Sequence, residues 1–81
     1  MFTTYILFSE KLNKHYTGSA QDFNIRIKKH NSGQVKFTSR GIPWVLVHRE
    51  EYKTRNEAYK REGEIKSWKG GIKFKKLIKK D

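Results

Sequence analysis

The stretch TYILFSEKLNKHYTGS, residues 4–19, decides the fold of this 81-residue chain. Its beginning continues a nearly unbroken apolar run, Phe2–Phe8, which predicts a β-strand at the centre of a sheet. Ser9–Lys14 is a polar turn, and His15–Ser19 predicts a second strand that returns beside the first. The chain therefore begins with a β-hairpin, and each of its strands carries one tyrosine.

A helix is predicted after the hairpin, over Asp22–Asn31. Ser19 or Asp22 can cap its N-terminus, and the Asn-Ser-Gly sequence that ends in Gly33 terminates it. The next segment, Gln34–Gly41, is predicted to be a polar loop.

The second half of the chain predicts one more strand and one more helix. Pro43 introduces the apolar strand Trp44–His48, since proline is tolerated where a strand begins. Thr54 and Glu57 have the spacing of a capping box, and the helix that follows is expected to run to about Trp68.

The predicted fold class is α+β, a small sandwich with a three-stranded antiparallel sheet flanked by helices. The element order is ββαβα plus a basic tail. Residues 1–69 are expected to form the domain and residues 70–81 a lysine-rich tail. Within that tail, Ile72–Lys80 is compatible with a strand, a helix or a disordered arm.

Net charge is the strongest global feature of the composition. Nineteen Lys and Arg against eight Asp and Glu give +11, which favours a polyanionic partner, most often nucleic acid. There is no cysteine, so neither a disulfide nor a thiolate metal site is expected. The apolar stretch Tyr5–Phe8 is too short for a secretory signal or a membrane span, and a cytoplasmic location is expected.

The second predicted helix places a carboxylate among core residues. Ala58, Glu62 and Ile65 share one face, and Glu62 lies in the middle of that apolar stripe. An uncompensated charge is costly there. Glu62 is therefore expected to have a cation or metal partner, or an opening to solvent in front of it.

The first predicted helix carries a comparable group. His30 shares a face with Phe23 and Ile27, and Arg26 lies one turn before His30. Each of these residues alone is compatible with an ordinary structural role. Two tyrosines, an Arg–His pair and an inward glutamate together predict an active site.

These motifs, in this order, resemble the GIY-YIG nuclease superfamily, and specifically its small stand-alone members. The resemblance covers residues 2–69 and is carried by TTYIL, HYTGS, DFNIRIKKHNSG, PWVLVHRE and TRNEAYKREGEIKSWK. Thr3 and Thr4 replace the Gly and Ile of the first motif, and Thr17 replaces the Ile of the second. The positions that match the family's functional residues are Tyr5, Tyr16, Gly18, Arg26, His30 and Glu62.

The resemblance implies divalent-metal-dependent hydrolysis of DNA phosphodiesters. Glu62 would bind Mg²⁺ or Mn²⁺, and Arg26 would bind a phosphoryl oxygen. Tyr5 is the first candidate for the general base, with His30 as its competitor. Tyr16 and His30 would orient the attacking water and the phosphate.

Other basic and aromatic residues are candidates for DNA binding. The predicted phosphate contacts are the tail lysines together with Lys28, Lys29, Arg40 and Lys60. Trp44 and Trp68 either stack on bases or, as we expect, pack in the core and at a helix end.

Two alternatives to the nuclease stay open at this point. One is a non-catalytic nucleic-acid-binding protein that retains the nuclease fold. The other is a basic structural protein of a ribonucleoprotein particle, for which RNA would replace DNA as the partner. For the nuclease, the process stays open among DNA repair, recombination and a mobile-element role, and neither a membrane nor a small-molecule cofactor is expected.

Overall fold

Strand β1 (Phe2–Ser9) is the central strand of the sheet in the computed structural model, which describes residues 1–79. It pairs antiparallel with β2 (Lys14–Ala20) on one side and with β3 (Trp44–Tyr52) on the other. The strand order is therefore β2-β1-β3. The predicted α+β fold, with β1 at the centre of a three-stranded antiparallel sheet, is confirmed.

The apolar run of β1 is continuous because helices cover both faces of the sheet. Tyr5 and Leu7 point to the face covered by α1 (Phe23–Asn31), where Phe23 belongs to the same hydrophobic cluster. Ile6 points to the opposite face and packs with Ile65 of α2 (Arg55–Ser67). Alternation along one strand thus supplies two cores.

Both helices begin where the sequence signals place them. The Asp22 side chain accepts a hydrogen bond from the backbone N–H of Ile25, which makes Asp22 the N-cap of α1. Thr54 and Glu57 form the complete capping box of α2. Of the two possible caps of α1, Asp22 is the one used, and Ser19 is left for another role.

Strand β3 is longer than predicted, since it continues past His48 to Tyr52. The prediction ended the strand where polar residues begin. These residues nevertheless pair with the first half of β1, for example Tyr52 with Phe2. A register shift between Ile6 and Leu7 of β1 accommodates the longer partner.

The prediction of a polar loop is wrong in part, because Lys36–Gly41 forms a 3₁₀-helix. Thr38 fixes this segment, and its side chain is fully buried. The Thr38 hydroxyl donates to the Val35 carbonyl, and its own carbonyl accepts a hydrogen bond from the indole N–H of Trp44. These contacts span only three and six residues, but they leave no periodic pattern in the sequence.

The tail, whose conformation the sequence left open, forms helix α3 (Ile72–Ile78). Phe74 is buried against Ile6 and Ile65 on the α2 side of the sheet. The remaining tail residues, 80–81, lie outside the described residues, and the proposed boundary after residue 69 stays a prediction.

None of the helices within residues 1–79 combines the length and the apolar character that crossing a membrane requires.

Candidate active site

A pocket of about 450 Å³ lies beside β2, between that strand, the middle of α1 and the first half of α2. It brings together five of the six residues that match the family's functional positions, which are Tyr5, Tyr16, Gly18, Arg26 and Glu62. The sixth, His30, does not line the pocket but contacts two residues that do, Tyr5 and Tyr16. The other lining residues are Phe2, Ser19, Ala20, Gln21, Arg55, Asn56, Ala58 and Tyr59.

Glu62 has both a cationic partner and an opening to solvent, as expected for a carboxylate in an apolar stripe. Its side chain is only 13% exposed, and it lines the pocket. The Ser19 hydroxyl donates to Oε1 at 2.6 Å, and Lys66 Nζ donates to Oε2 at 2.6 Å. The carboxylate raises the pKa of the Lys66 ammonium, chiefly through this hydrogen bond.

The backbone around Glu62 is anchored to β1 by one of the residues that depart from the family pattern. The Thr4 hydroxyl donates to the carbonyl of Ala58 at 2.7 Å, and both residues are buried. Ala58 lies one turn before Glu62 on α2. Thr4 therefore helps to fix the position of α2, and with it the Glu62 carboxylate, relative to β1.

Tyr5 and His30 are both enclosed, each with 1% of its surface exposed. The Tyr5 hydroxyl lies 3.1 Å from Nε2 of His30, and Nδ1 of His30 lies 2.7 Å from the hydroxyl of Thr38. Because that hydroxyl donates to Val35, it accepts from Nδ1–H. This assigns the proton of neutral His30 to Nδ1 and makes Nε2 the acceptor of the Tyr5 O–H.

The electrostatics of this pair agree with that assignment. Burial, reinforced by Tyr16 and Glu62, raises the pKa of Tyr5 well above its ordinary value of 10.0, while Arg26 opposes the shift. Burial lowers the pKa of His30 below 6.5, and the positive charge of Arg26 adds to this effect. At neutral pH, Tyr5 is therefore protonated and His30 is uncharged.

Gly18 has a steric reason to be glycine. It lies opposite Tyr5 in the β1–β2 register. A Cβ atom added there would meet the Tyr5 hydroxyl at 2.7 Å and Cζ at 2.8 Å, closer than real Cβ contacts come. The absence of a side chain at Gly18 lets the tyrosine ring lie flat against β2 and face the pocket.

Arg26 and Tyr16 complete the set of residues expected from the sequence. Arg26 projects from the middle of α1, whose last turn holds His30, so one helix supplies both residues. The ring of Tyr16 packs against those of Tyr5 and His30, with centroids 6.5 and 5.1 Å apart. Arg26 lines the same pocket as the two tyrosines, and its positive charge opposes the rise of the Tyr5 pKa.

Several lining residues were not predicted from the sequence, notably Ser19, Arg55 and Tyr59. Ser19 was considered only as a helix cap. Arg55 is the first residue of α2, and its guanidinium lies 5.5 Å from the centre of the Phe2 ring, a cation–π distance. Arg55 could have been identified from the sequence, because it directly follows the N-cap of the helix that carries Glu62.

The predicted phosphate contacts lie elsewhere on the surface. The structure leaves their side chains exposed, and none of them lines the pocket of Glu62: Lys28, Lys29, Arg40 and Lys60. Their DNA contacts stay predictions. Trp44 is a core residue and Trp68 packs against Ile65 at the end of α2, as expected for these two side chains.

Within residues 1–79, no three His, Cys, Asp or Glu side chains are grouped closely enough to form a metal cage. Among the described residues that line the solvent-open pocket, Glu62 carries the one carboxylate. This donor set fits Mg²⁺, which binds one or two carboxylates and keeps several waters. It does not fit a structural Zn²⁺ site, which needs four protein ligands.

Comparison with known proteins identifies the family of the chain. The family model of the GIY-YIG catalytic domain matches residues 1–76. UPF0213 proteins from Staphylococcus aureus strains Mu3, Mu50 and N315 are each 52% identical to the chain over 54 residues. That alignment covers 65% of this chain and 66% of each relative, just under two thirds of the relative's length. No solved structure matches the chain. The match over residues 1–76 shows that the chain belongs to the GIY-YIG catalytic domain family, which is a family of nucleases.

Proposed function

We propose that this protein is a divalent-metal-dependent endonuclease that hydrolyses DNA phosphodiester bonds. The observation that carries the proposal is the convergence of Glu62, Arg26 and the two tyrosines on one open pocket, from four different elements. Such a set supplies a metal ligand, a phosphate-binding cation and hydroxyl groups within one cavity. The net charge of +11 supports a polyanionic substrate.

Glu62 is the residue that would hold the metal ion, Mg²⁺ or Mn²⁺, together with water and substrate oxygens. When bound, such an ion polarises the phosphate and stabilises the leaving oxygen. Ser19 keeps one carboxylate oxygen oriented toward the pocket through its 2.6 Å hydrogen bond. Lys66 donates to the other oxygen and must move away from it before a metal ion can bind there.

Arg26 is proposed to bind the phosphate that is cleaved. Its planar guanidinium can donate two parallel hydrogen bonds to non-bridging oxygens, an arrangement that lysine cannot reproduce. Arg55 of α2 lines the same pocket and provides a second cation for the same strand. Tyr16 also lines the pocket and can donate its hydroxyl proton to phosphate or water.

Water activation is proposed to use Tyr5 and His30 as one unit. The raised pKa of Tyr5 makes a free tyrosinate unfavourable at neutral pH. Neutral His30 can accept the Tyr5 proton at Nε2 while Tyr5 accepts a proton from water. The resulting imidazolium, which burial and Arg26 disfavour, keeps its Nδ1–H hydrogen bond to Thr38, and the water becomes hydroxide without a free tyrosinate.

The runner-up is a nucleic-acid-binding protein without nuclease activity. One observation favours it, namely that the Glu62 carboxylate is already paired with Ser19 and Lys66. Under this alternative, Lys66 permanently neutralises Glu62 and no metal enters. RNA is then as acceptable a partner as DNA. A cytoplasmic location and a role in DNA repair or recombination belong to the nuclease proposal.

The deciding experiment measures cleavage of labelled single-stranded, duplex and branched DNA with Mg²⁺, with Mn²⁺ and with EDTA. Glu62→Gln should reduce the rate by roughly 100-fold or more, because even residues that only support a metal ligand cost about 10–100-fold when removed. Glu64→Gln is the matched control, since Glu64 lies on the same helix, pairs with Arg61 and is 57% exposed. Binding without metal-dependent cleavage on every substrate would favour the runner-up.

A further inference from the structure

A second groove, of about 490 Å³, lies at the other end of β2. We call it the lysine groove. Its walls come from the β1–β2 turn and β2, from the 3₁₀-helix, from the end of α2 and from α3. The lining residues are Asn13, Lys14, His15, Tyr16, Thr17, Phe37, Ile65, Lys66, Lys69, Gly70 and Phe74.

The lysine groove adjoins the active-site pocket. Along β2, residues from Tyr16 onward line the pocket, and residues up to Thr17 line the groove. Tyr16 therefore lines both cavities. Along α2, the pocket uses residues 55–62 and the groove begins at Ile65. Lys66 joins them, because it lines the groove while its ammonium binds Glu62 in the pocket.

The charge of the groove suits a phosphodiester backbone. Three of its lining residues are lysines, and none of the residues from 1–79 that line it carries a carboxylate. Neither Lys14 nor Lys69 forms an ion pair with a carboxylate in this part of the chain. Their ammonium groups are available to phosphates, which bind lysine through electrostatics and counterion release.

Phe37 adds an aromatic surface to the same groove. Its side chain is 83% exposed, the largest exposure among the large apolar residues that the structure describes. Its ring lies beside that of Tyr16, with centroids 5.9 Å apart. An exposed ring next to lysines is the arrangement on which unpaired bases stack, whereas a duplex buries the faces of its bases.

We propose that the lysine groove binds the single-stranded DNA that flanks the phosphate held in the active-site pocket. Lys14 and Lys69 contact successive phosphates of this strand, and Phe37 stacks on one of its unpaired bases. Lys66 stands at the junction, where the strand passes from the groove to Glu62. This inference rests on the proposed function and specifies which form of DNA the site accepts next to the scissile bond.

The test measures binding of a 5′-fluorescein-labelled oligodeoxynucleotide by fluorescence anisotropy in EDTA, so that cleavage does not interfere. Lys14→Gln and Lys69→Gln should each weaken binding several-fold and reduce the magnitude of the salt slope by about 0.7, the value for one phosphate contact on a single strand. Lys53→Gln is the control, because it removes the same charge from a residue that lines neither cavity. Its affinity should stay within twofold of the wild type.

The aromatic contact is tested separately with Phe37→Leu and Phe37→Tyr. Loss of one stacked base is worth about 1 kcal/mol or more, so Phe37→Leu should weaken binding by about fivefold or more. Phe37→Tyr keeps the ring and should retain affinity. Because Phe37 is exposed, neither substitution removes a core contact.

Three results would overturn the inference: equal losses for Lys53→Gln and Lys69→Gln, an unchanged affinity for Phe37→Leu, or tighter binding of a duplex of the same sequence. Single-stranded RNA that competed better than DNA would overturn the choice of DNA. The outcomes separate this inference from the nuclease proposal. Groove-dependent binding without cleavage would refute only the nuclease, and cleavage unaffected by the groove variants would refute only the groove.

Discussion

The ammonium group of Lys66 lies 2.6 Å from the carboxylate of Glu62, one turn earlier on α2. The Ser19 hydroxyl of β2 donates to the other carboxylate oxygen. Glu62 is thus held by one donor from its own helix and by one from the sheet. A divalent cation that uses Glu62 as a ligand must displace the lysine and not the serine, because only Lys66 neutralises the charge that the cation needs.

Lys66→Met should therefore strengthen metal binding. The ion pair is half-exposed on its lysine side and is worth about 0.2–1 kcal/mol, so the Kd for Mn²⁺ in the absence of DNA should fall by up to about fivefold. Isothermal titration calorimetry measures it, with Lys53→Met as the control. The same substitution should weaken DNA binding, since Lys66 also lines the lysine groove. An unchanged Mn²⁺ affinity would mean that the lysine does not compete with the metal.

Gly18→Ala should displace Tyr5. The new methyl group would meet the buried ring within 2.8 Å, and overpacking of this kind costs about 1–3 kcal/mol. We expect the free energy of unfolding in urea to fall by that amount and cleavage to fall with it. Gly63→Ala is the matched control, because Gly63 lies inside α2 with nothing within 4 Å of the added Cβ. That substitution should stabilise the protein by about 0.5–1 kcal/mol. Equal stability of Gly18→Ala and the wild type would show that the Tyr5 ring can move aside.

The features that sequence predicts here are those encoded by neighbouring residues. The capping box of Thr54 and Glu57 depends on a spacing of three, and the inward position of Glu62 follows from its spacing to Ala58 and Ile65. The apolar run of β1 indicates its central place in the sheet because both faces are buried. In each case the physical cause lies within one or two turns of chain.

The features that sequence did not predict depend on contacts between distant segments. Ser19 and Glu62 are 43 residues apart, and nothing near either residue distinguishes this hydrogen bond from helix capping. The polar end of β3 becomes a strand only because β1 offers it free backbone groups. The lysine groove likewise needs the turn between α2 and α3 to bring Lys69 opposite Lys14.

Stability should fall as the pH drops below 6.5, before most carboxylates titrate. Burial and Arg26 lower the pKa of His30 in the folded state, so in this range the unfolded chain binds a proton that the folded protein does not. Proton uptake by the unfolded state lowers the free energy of unfolding as pH falls. Urea titrations at pH 7.5, 6.5 and 5.5 measure this effect.

Two other titratable groups, His15 and Glu50, also affect how stability depends on pH. Burial also lowers the pKa of His15, so His15→Asn is the control that isolates His30. Glu50, which accepts hydrogen bonds from Arg61, Tyr52 and His48, has a pKa of about 2 in spite of its burial. Its contribution is present above pH 4.5 and is lost only as pH falls from there toward 2. A flat stability between pH 7.5 and 5.5 in His15→Asn would contradict the burial of neutral His30.

Tyr5→Phe should lower the cleavage rate by about 10²–10⁴-fold, the usual range for removing a general acid or base. The substitution keeps the ring that packs against Phe23 and removes only the hydroxyl that donates to His30. His30→Gln should cause a loss of similar size, and the double variant should lose little more, because the two residues act as one unit. A double variant whose loss equals the product of the two single losses would show that they act separately. Tyr5→Phe at the wild-type rate, with His30→Gln inactive, would leave His30 as the base and remove Tyr5 from water activation.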